Sequence, residues 1–256
     1  TSVQEALFKS FPSEIITLKS GMYYENLRFP GRNLILQGTN HMNEETVDST
    51  IINGKDLNSA IVLTGEEDDT SVIKGITITG GGIFGGGAGI TLENNKITSN
   101  SSRGIQDCHG IIRNNNVSGN SDTAIYDCDG IIENNIITGN ILPLPHNYSG
   151  VLHACDGFIS DNEITDNKSD GLSRCNGEII GNTISHNLSN GITGGDGTVT
   201  GNEISHNEKA GLLNYDGMIY GNVISHNKNA GLGRCSGEIL SNRIMSNSGN
   251  QAGGLY

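Results

Sequence analysis

A motif of the form Asn-x-Ile-Ser/Thr recurs along most of the chain, usually at a spacing of 20 residues. A fixed period of this length, built from β-branched residues with Asn and Gly between them, is typical of a solenoid, because one repeat cannot bury its apolar side alone. The repeat therefore predicts a stack of similar turns. Copies of the motif begin at Asn95, Asn135, Asn162, Asn182, Asn202 and Asn222, with variants at Asn115 and Asn242.

Three apolar positions recur in every repeat, and each predicts a short strand that faces inward. Three inward columns separated by turns indicate a triangular coil in which each strand pairs in parallel with its copy one turn away. Because β-crossovers are overwhelmingly right-handed, we expect an all-β, right-handed parallel β-helix with three sheets. The columns are Ile97, Val117, Ile137, Ile164, Ile184, Ile204, Ile224 and Ile244; Ile105, Ile125, Leu152, Leu172, Ile192, Leu212 and Leu232; and Ile112, Ile132, Ile159, Ile179, Val199, Ile219 and Ile239.

The uninterrupted repeat predicts one domain over residues 1–256, with about a dozen turns. Residues 93–256 are expected to form the regular turns, with an insertion at 141–147. Residues 1–92 are expected to form irregular turns behind a short capping helix, Ser2 to Lys9, which covers the otherwise open first turn. Within them, the segment from Gly38 to Asp48 is predicted to be a loop and the glycine-rich segment from Gly80 to Gly87 a flexible turn.

Polar columns accompany the apolar ones. Asp-Gly or Asn-Gly pairs at the corners supply the positive φ that a sharp turn demands, and stacked Asn side chains are expected to form amide ladders. The cysteines share one repeat position, where the distance between turns would permit disulfides but stacked side chains rarely reach the required dihedral angle, so a buried column of thiols is favoured. They are Cys108, Cys128, Cys155, Cys175 and Cys235.

Composition narrows the classes of partner. The formal net charge is −13, which disfavours nucleic acid and anionic membrane surfaces because the excess of Lys and Arg that neutralises phosphate is missing. Acidic polymers are disfavoured too, unless a divalent cation bridges them. No run of apolar residues is long enough for a membrane span, so no membrane insertion is expected.

The insertion at 141–147 is the one break in the regular period, since Ile164 follows Ile137 by 27 residues. Insertions in solenoids form loops, often on the binding face. Polar side chains from neighbouring turns are expected to gather beside this loop, where they can bind a sugar or carry out proton abstraction with charge neutralisation. A tolerated loop over a polar face is the alternative. The candidate residues for substrate binding are Asp107, Tyr126, Asp127, His146, Tyr148, His153 and Arg174.

Two further patterns are weaker candidates for metal binding. His186, His206 and His226 occupy one column and could chelate Zn²⁺ or Ni²⁺, but a polar turn position duplicated with the repeat is favoured, because stacking within one sheet rarely closes a tetrahedral shell. The acidic run from Glu66 to Asp69 is rich in oxygen ligands for calcium but lacks the spacing of a calcium loop, so a solvated loop is favoured. The sequence therefore predicts no bound cofactor, with calcium as the one alternative.

The chain also resembles the pectate-lyase-like right-handed β-helix superfamily, in particular its carbohydrate-binding and sugar-hydrolase repeats. The resemblance rests on Val3 to Leu7, Ile15 to Leu18, Gly21 to Asn26 and the later Asn-x-Ile-Thr turns. It implies an exported protein that acts on or binds polysaccharides. The catalytic motifs of the superfamily do not match: Leu144-Pro145-His146 lacks the acidic residue of the epimerase motif, and the calcium-binding and arginine motifs of the lyases have no counterpart.

Three functional hypotheses follow. The first is a secreted or cell-surface protein, extracellular or periplasmic, that binds a polysaccharide without turnover. The second is a polysaccharide lyase, hydrolase or epimerase that uses the face from Tyr126 to Arg174. The third is a structural spacer in a larger surface protein. The scarcity of aromatic residues weakens both sugar-related hypotheses, because stacking on aromatic rings is a main source of sugar affinity.

Overall fold

The protein is a right-handed parallel β-helix, as the sequence predicts. The computed structural model describes residues 2–57, 59–142 and 150–249. In these ranges the chain forms eleven turns, in which every strand pairs in parallel with its copies in the neighbouring turns. The described residues contain no helix that is long and apolar enough to cross a membrane.

Three sheets run along the solenoid, with eleven, eleven and ten strands in the described ranges. Sheet 1 contains Ile15–Leu18, Ile35–Gly38, Val72–Lys74, Thr91–Glu93, Ile111–Arg113, Ile131–Glu133, Phe158–Ser160, Glu178–Ile180, Thr198–Thr200, Met218–Tyr220 and Ile239–Leu240. Sheet 2 contains Gly21–Tyr23, Thr50–Asn53, Thr77–Thr79, Lys96–Thr98, Asn116–Ser118, Ile136–Thr138, Glu163–Thr165, Thr183–Ser185, Glu203–Ser205, Val223–Ser225 and Arg243–Met245. Sheet 3 contains Leu27–Arg28, Ile61–Val62, Ile83–Ala88, Ile105–Cys108, Ile125–Tyr126, Gly150–His153, Asp170–Ser173, Ile192–Thr193, Leu212–Leu213 and Leu232–Gly233.

The predicted apolar columns form the core. Their members are buried except Ile239 and Ile244 in the last described turn, which are half-buried. The predicted capping helix spans Val3–Lys9, with Ser2 as its N-cap, and it buries Val3 and Leu7 against the first turn. Both the core and the cap of the first turn are thus as the sequence indicates.

Two segments of the irregular region differ from the prediction. Glu44–Ser49 is a second short helix, capped by Asn43, inside the segment that was expected to be a loop. The predicted flexible turn contains the strand Ile83–Ala88, which pairs with Ile105–Cys108. A Cβ atom on Gly85 would lie 2.1 Å from the carbonyl oxygen of Asp107, so glycine permits this close approach between turns. The glycines there serve backbone contact rather than flexibility.

Two ladders of buried Asn side chains link consecutive turns. In the first ladder, the Asn182 side chain donates to the carbonyl oxygen of Ile159 at 2.9 Å and to Asn202 Oδ1 at 3.0 Å. Its own Oδ1 accepts from the backbone and side-chain nitrogens of Asn162. Each amide therefore pairs with the turns on both sides, as a buried polar group requires. The buried ladder members are Asn95, Asn115, Asn135, Asn162, Asn182, Asn202 and Asn222, and Asn100, Asn120, Asn140, Asn167, Asn187, Asn207 and Asn227.

The cysteines form the predicted column of free thiols. Cys108, Cys128, Cys155 and Cys175 are buried, and Cys235 is half-buried. Burial and the neighbouring thiol raise the pKa of Cys128 and of Cys155 well above the ordinary value. Thiolates are the reactive form of cysteine, so this column packs as an apolar core element.

We expect a thiol-reactive reagent such as a disulfide dye to modify Cys235 alone, and slowly, in the native protein. All five cysteines should react after denaturation, because the four buried thiols are then exposed and regain their ordinary pKa. Mass spectrometry of the labelled protein gives the count. Rapid labelling of two or more cysteines in the native state would contradict a buried thiol column.

Candidate functional site

The predicted insertion face lies where the strands of sheet 3 end. Tyr126 pairs in register with His153, and His153 pairs with Ser173, so the three side chains stand in one column over three consecutive turns. His146 and Tyr148, which were also expected here, lie outside the described residues, as do 143–149 of the insertion loop. The site is therefore built from the strand ends alone.

The column is extended by an arginine that lies over the tyrosine ring. The guanidinium carbon of Arg103 is 3.6 Å from the centroid of the Tyr126 ring. On its other face, the Tyr126 ring stacks on the His153 imidazole, with centroids 5.5 Å apart and an interplanar angle of 18°. Because the turns stack along the solenoid axis, the two ring faces are occupied and the ring edges remain free to meet a ligand.

A short hydrogen bond fixes the far end of this column. His153 Nδ1 lies 2.6 Å from Ser173 Oγ, and Ser173 Oγ also accepts the backbone N–H of Gly150 at 2.7 Å. Ser173 is buried and His153 is half-buried, so the serine hydroxyl is closed to solvent. Ser173 therefore positions the imidazole and is not a free nucleophile.

The pKa of His153 is lowered below its ordinary value. The main cause is burial, which disfavours the charged imidazole; the positive charges of Arg174 and Arg103 act in the same direction, and Asp127 opposes them. Burial and the two arginines therefore favour the uncharged imidazole. An uncharged imidazole beside two arginines can accept a proton or a hydrogen bond from a ligand.

Replacing Arg174 with alanine is expected to raise the pKa of His153 towards its ordinary value, because one of the two repelling charges is removed. Burial remains, so the shift is incomplete. Since the native state binds this proton less readily than the unfolded state, His153 costs stability as the pH falls below about 6.5, and the variant should lose less stability there. NMR titration of the imidazole carbons measures the pKa; an unchanged or lowered value would contradict this electrostatic assignment.

The next column holds the charged candidates, and its backbone is left-handed. Asp107, Asp127 and Arg174 have φ values of 57°, 54° and 52°, so none of the three side chains stands on flat strand backbone. Asp127 and Arg174 are exposed. Asp107 Oδ1 instead lies 3.2 Å from His109 Nε2, which directs that carboxylate to the neighbouring corner. Of the two carboxylates, only Asp127 contributes to the pKa of His153, which its negative charge raises.

Arg103 is the residue of the candidate site that sequence reasoning missed. It occupies a repeat position that otherwise holds Thr123, Gly150, Asp170, Asn190, Ala210 and Ala230. A single basic residue in a column of small and polar ones is the signal that could have identified it.

The weak histidine candidates do form a column. The ring centroids of His186 and His206 are 5.0 Å apart, those of His206 and His226 are 4.9 Å apart, and the rings are almost parallel. Two nitrogen ligands at about 2.1 Å from one zinc ion lie at most about 4 Å apart, so this stack cannot share an ion as it stands. Among the described residues, no group of three or more His, Cys, Asp or Glu side chains could hold a metal ion.

The acidic run also has a structural role. Glu67 is buried, and its carboxylate accepts the backbone N–H groups of Gly31, Thr64 and Gly65 as well as the Thr64 hydroxyl. Asp68 Oδ1 accepts both the N–H and the hydroxyl of Thr70. These oxygens hold two loops together, so the structure gives no support to the calcium alternative within the described residues.

A scan against protein-family models, a search of curated proteins and a search of solved structures each found no match to this chain.

Proposed function

We propose that the protein is a polysaccharide-binding β-helix whose ligand lies along the row site, formed by Arg103, Tyr126, His153 and Arg174. The observation that carries this proposal is the stack of Arg103, Tyr126 and His153. It supplies a line of polar edges parallel to the solenoid axis, with about 5 Å between turns. A polymer with hydroxyl groups along its length matches such a line better than a compact ligand does.

The mode of binding follows from which surfaces are free. Both faces of the Tyr126 ring are covered, so a sugar cannot stack on it, and the scarcity of aromatic residues is no obstacle to this mode. The phenol hydroxyl, the imidazole and the guanidinium groups instead offer hydrogen bonds, which orient a ligand in a site of this kind. Bonds from the arginines are the strongest of these because their donors are charged.

An extracellular or periplasmic location belongs to the same proposal, because polymers of this class are found there. The buried thiols are compatible with it, because their raised pKa keeps them protonated and unreactive. They can therefore remain unpaired in an oxidising compartment.

Screening on a glycan array, followed by calorimetry with any oligosaccharide that binds, tests the proposal. Arg174→Ala should weaken binding roughly tenfold, as the loss of a charge-assisted hydrogen bond does. The matched control is Arg234→Ala, because Arg234 is exposed and left-handed at the same repeat position, three turns away. Equal effects of the two variants, or no binding of any glycan, would refute the row site and favour the spacer hypothesis.

Turnover by a lyase or epimerase mechanism is the second candidate, and the lowered pKa of His153 favours it. An uncharged imidazole can act as a general base near neutral pH, and an adjacent arginine can neutralise a sugar carboxylate while the proton is removed. Incubation of the protein with each bound polymer, followed by mass spectrometry and NMR of the products, distinguishes turnover from binding. If the polymer is unchanged after long incubation, turnover is contradicted and binding without turnover remains.

A further inference from the structure

A second surface feature lies beside the row site, at the corner where the chain passes from sheet 3 to sheet 1 and where Asn176 follows Arg174 by two residues. There a shallow pocket with a volume of about 330 Å³ spans three turns. We call it the corner pocket. It is lined by Asp156, Gly157, Phe158, Asn176, Gly177, Glu178, Gly197 and Thr198.

The floor of the corner pocket consists of glycine backbone. Cβ atoms on Gly157, Gly177 and Gly197 would lie 2.1, 1.9 and 2.0 Å from carbonyl oxygens of the preceding turn. No side chain can therefore stand at these positions without displacing backbone, and the corner stays open. The pocket results from the tight stacking of the Asp-Gly and Asn-Gly turns.

The walls combine acidic groups with an aromatic ring. Asp156 accepts the backbone and side-chain nitrogens of Asn176, at 2.9 and 3.2 Å, so its carboxylate is held in place. Glu178 is exposed and forms no ion pair within the described ranges. The Phe158 ring is partly exposed and belongs to none of the aromatic stacks of the described residues. The lining contains no cationic side chain.

We propose that the corner pocket binds a sugar unit that carries a free ammonium group. Two carboxylates that form no ion pair within the described residues attract a positive charge, and an aromatic ring adds a cation–π contact and an apolar wall for a sugar ring. The Asn176 amide and the Thr198 hydroxyl also line the pocket and can form hydrogen bonds with the hydroxyl groups of the sugar. The proposal does not rest on the row site, which uses other residues and has cationic rather than acidic groups.

Calorimetry with an oligomer of glucosamine tests this proposal against its fully N-acetylated counterpart. The free-amine oligomer should bind, and the acetylated one should bind at least about fivefold more weakly, because acetylation removes the charge. Glu178→Gln should weaken binding of the amine form about fivefold, whereas Glu203→Gln, which changes an exposed glutamate on sheet 2, should have no effect.

A second pair of variants tests the aromatic wall. Phe158→Leu should weaken binding by a factor of about two to five, while Met218→Leu, at the same repeat position two turns beyond Glu178, should leave it unchanged. Arg174→Ala should not weaken binding of the amine form, because it removes a positive charge beside the pocket, whereas it should weaken binding at the row site. Equal binding of both oligomers, no binding of the amine form, or full affinity in Glu178→Gln would overturn the proposal.

Discussion

Replacing Asn182 with alanine is expected to lower the free energy of unfolding by about 3–6 kcal/mol, because several buried groups lose their partners at once. The carbonyl of Ile159 loses a donor, and the backbone and side-chain nitrogens of Asn162 lose their acceptor. Contacts in a solenoid are local, so the turns next to Asn182 should open first. Denaturant unfolding gives the energy, and hydrogen exchange locates the opening.

The control for this variant is Asn229→Ala, which removes an exposed side chain with a single local hydrogen bond. Its cost should stay near 1 kcal/mol, about that of one hydrogen bond. Asn182→Asp adds a pH test. A buried carboxylate facing carbonyl oxygens has a raised pKa in the native state, so this variant should lose stability as the pH rises above about 4. Equal losses for the alanine variants at the two positions would contradict a ladder that stabilises the stack.

Gly177→Ala is expected to cost about 3 kcal/mol or more, or to prevent folding. The added Cβ would lie 1.9 Å from the carbonyl oxygen of Gly157 and 2.3 Å from that of Asp156. Both obstacles are backbone atoms of the neighbouring turn, so no side chain can move aside. The thermal midpoint and the yield of soluble protein measure the effect.

The matched control is Gly201→Ala. Gly201 has a φ of 65° with nothing within 4 Å of its Cβ position, so this variant should cost only the strain of a left-handed alanine, about 1–2 kcal/mol. Equal stability of the two variants would contradict the prediction. It would show that close stacking of the corner turns does not exclude a side chain at Gly177.

The regular turns were predictable because the same residue types recur at the same positions in one turn after another. Each inward isoleucine or leucine of one turn predicts the register of the next, and the Asn columns follow from the same spacing. The irregular turns offer no such repetition. Glu44–Ser49 is too short for a helical pattern to be evident, although Asn43 caps it. The strand Ile83–Ala88 was not predicted because its glycines are typical of turns. Only the structure shows that glycine is needed at Gly85, where the backbone of Asp107 lies too close for a side chain.

The candidate site was predictable to the extent that it depends on register. Tyr126 and His153 were expected to be neighbours because their positions in the repeat are the same, and they are. The approach of Arg103 to the Tyr126 ring depends on a side-chain conformation, so no spacing rule predicts it. The histidine column shows the converse: the spacing brings the rings together, but the backbone holds them too far apart to share a metal ion.

The most direct test of the proposed function follows the two stacked rings during binding. A protein labelled with ¹³C in its His and Tyr rings is titrated with the oligosaccharide that a glycan array identifies. The row site predicts that the ring signals of Tyr126 and His153 shift together and saturate at the same concentration, while those of His186, His206 and His226 remain unchanged. Saturable binding that leaves the Tyr126 and His153 signals in place would contradict a ligand along this row.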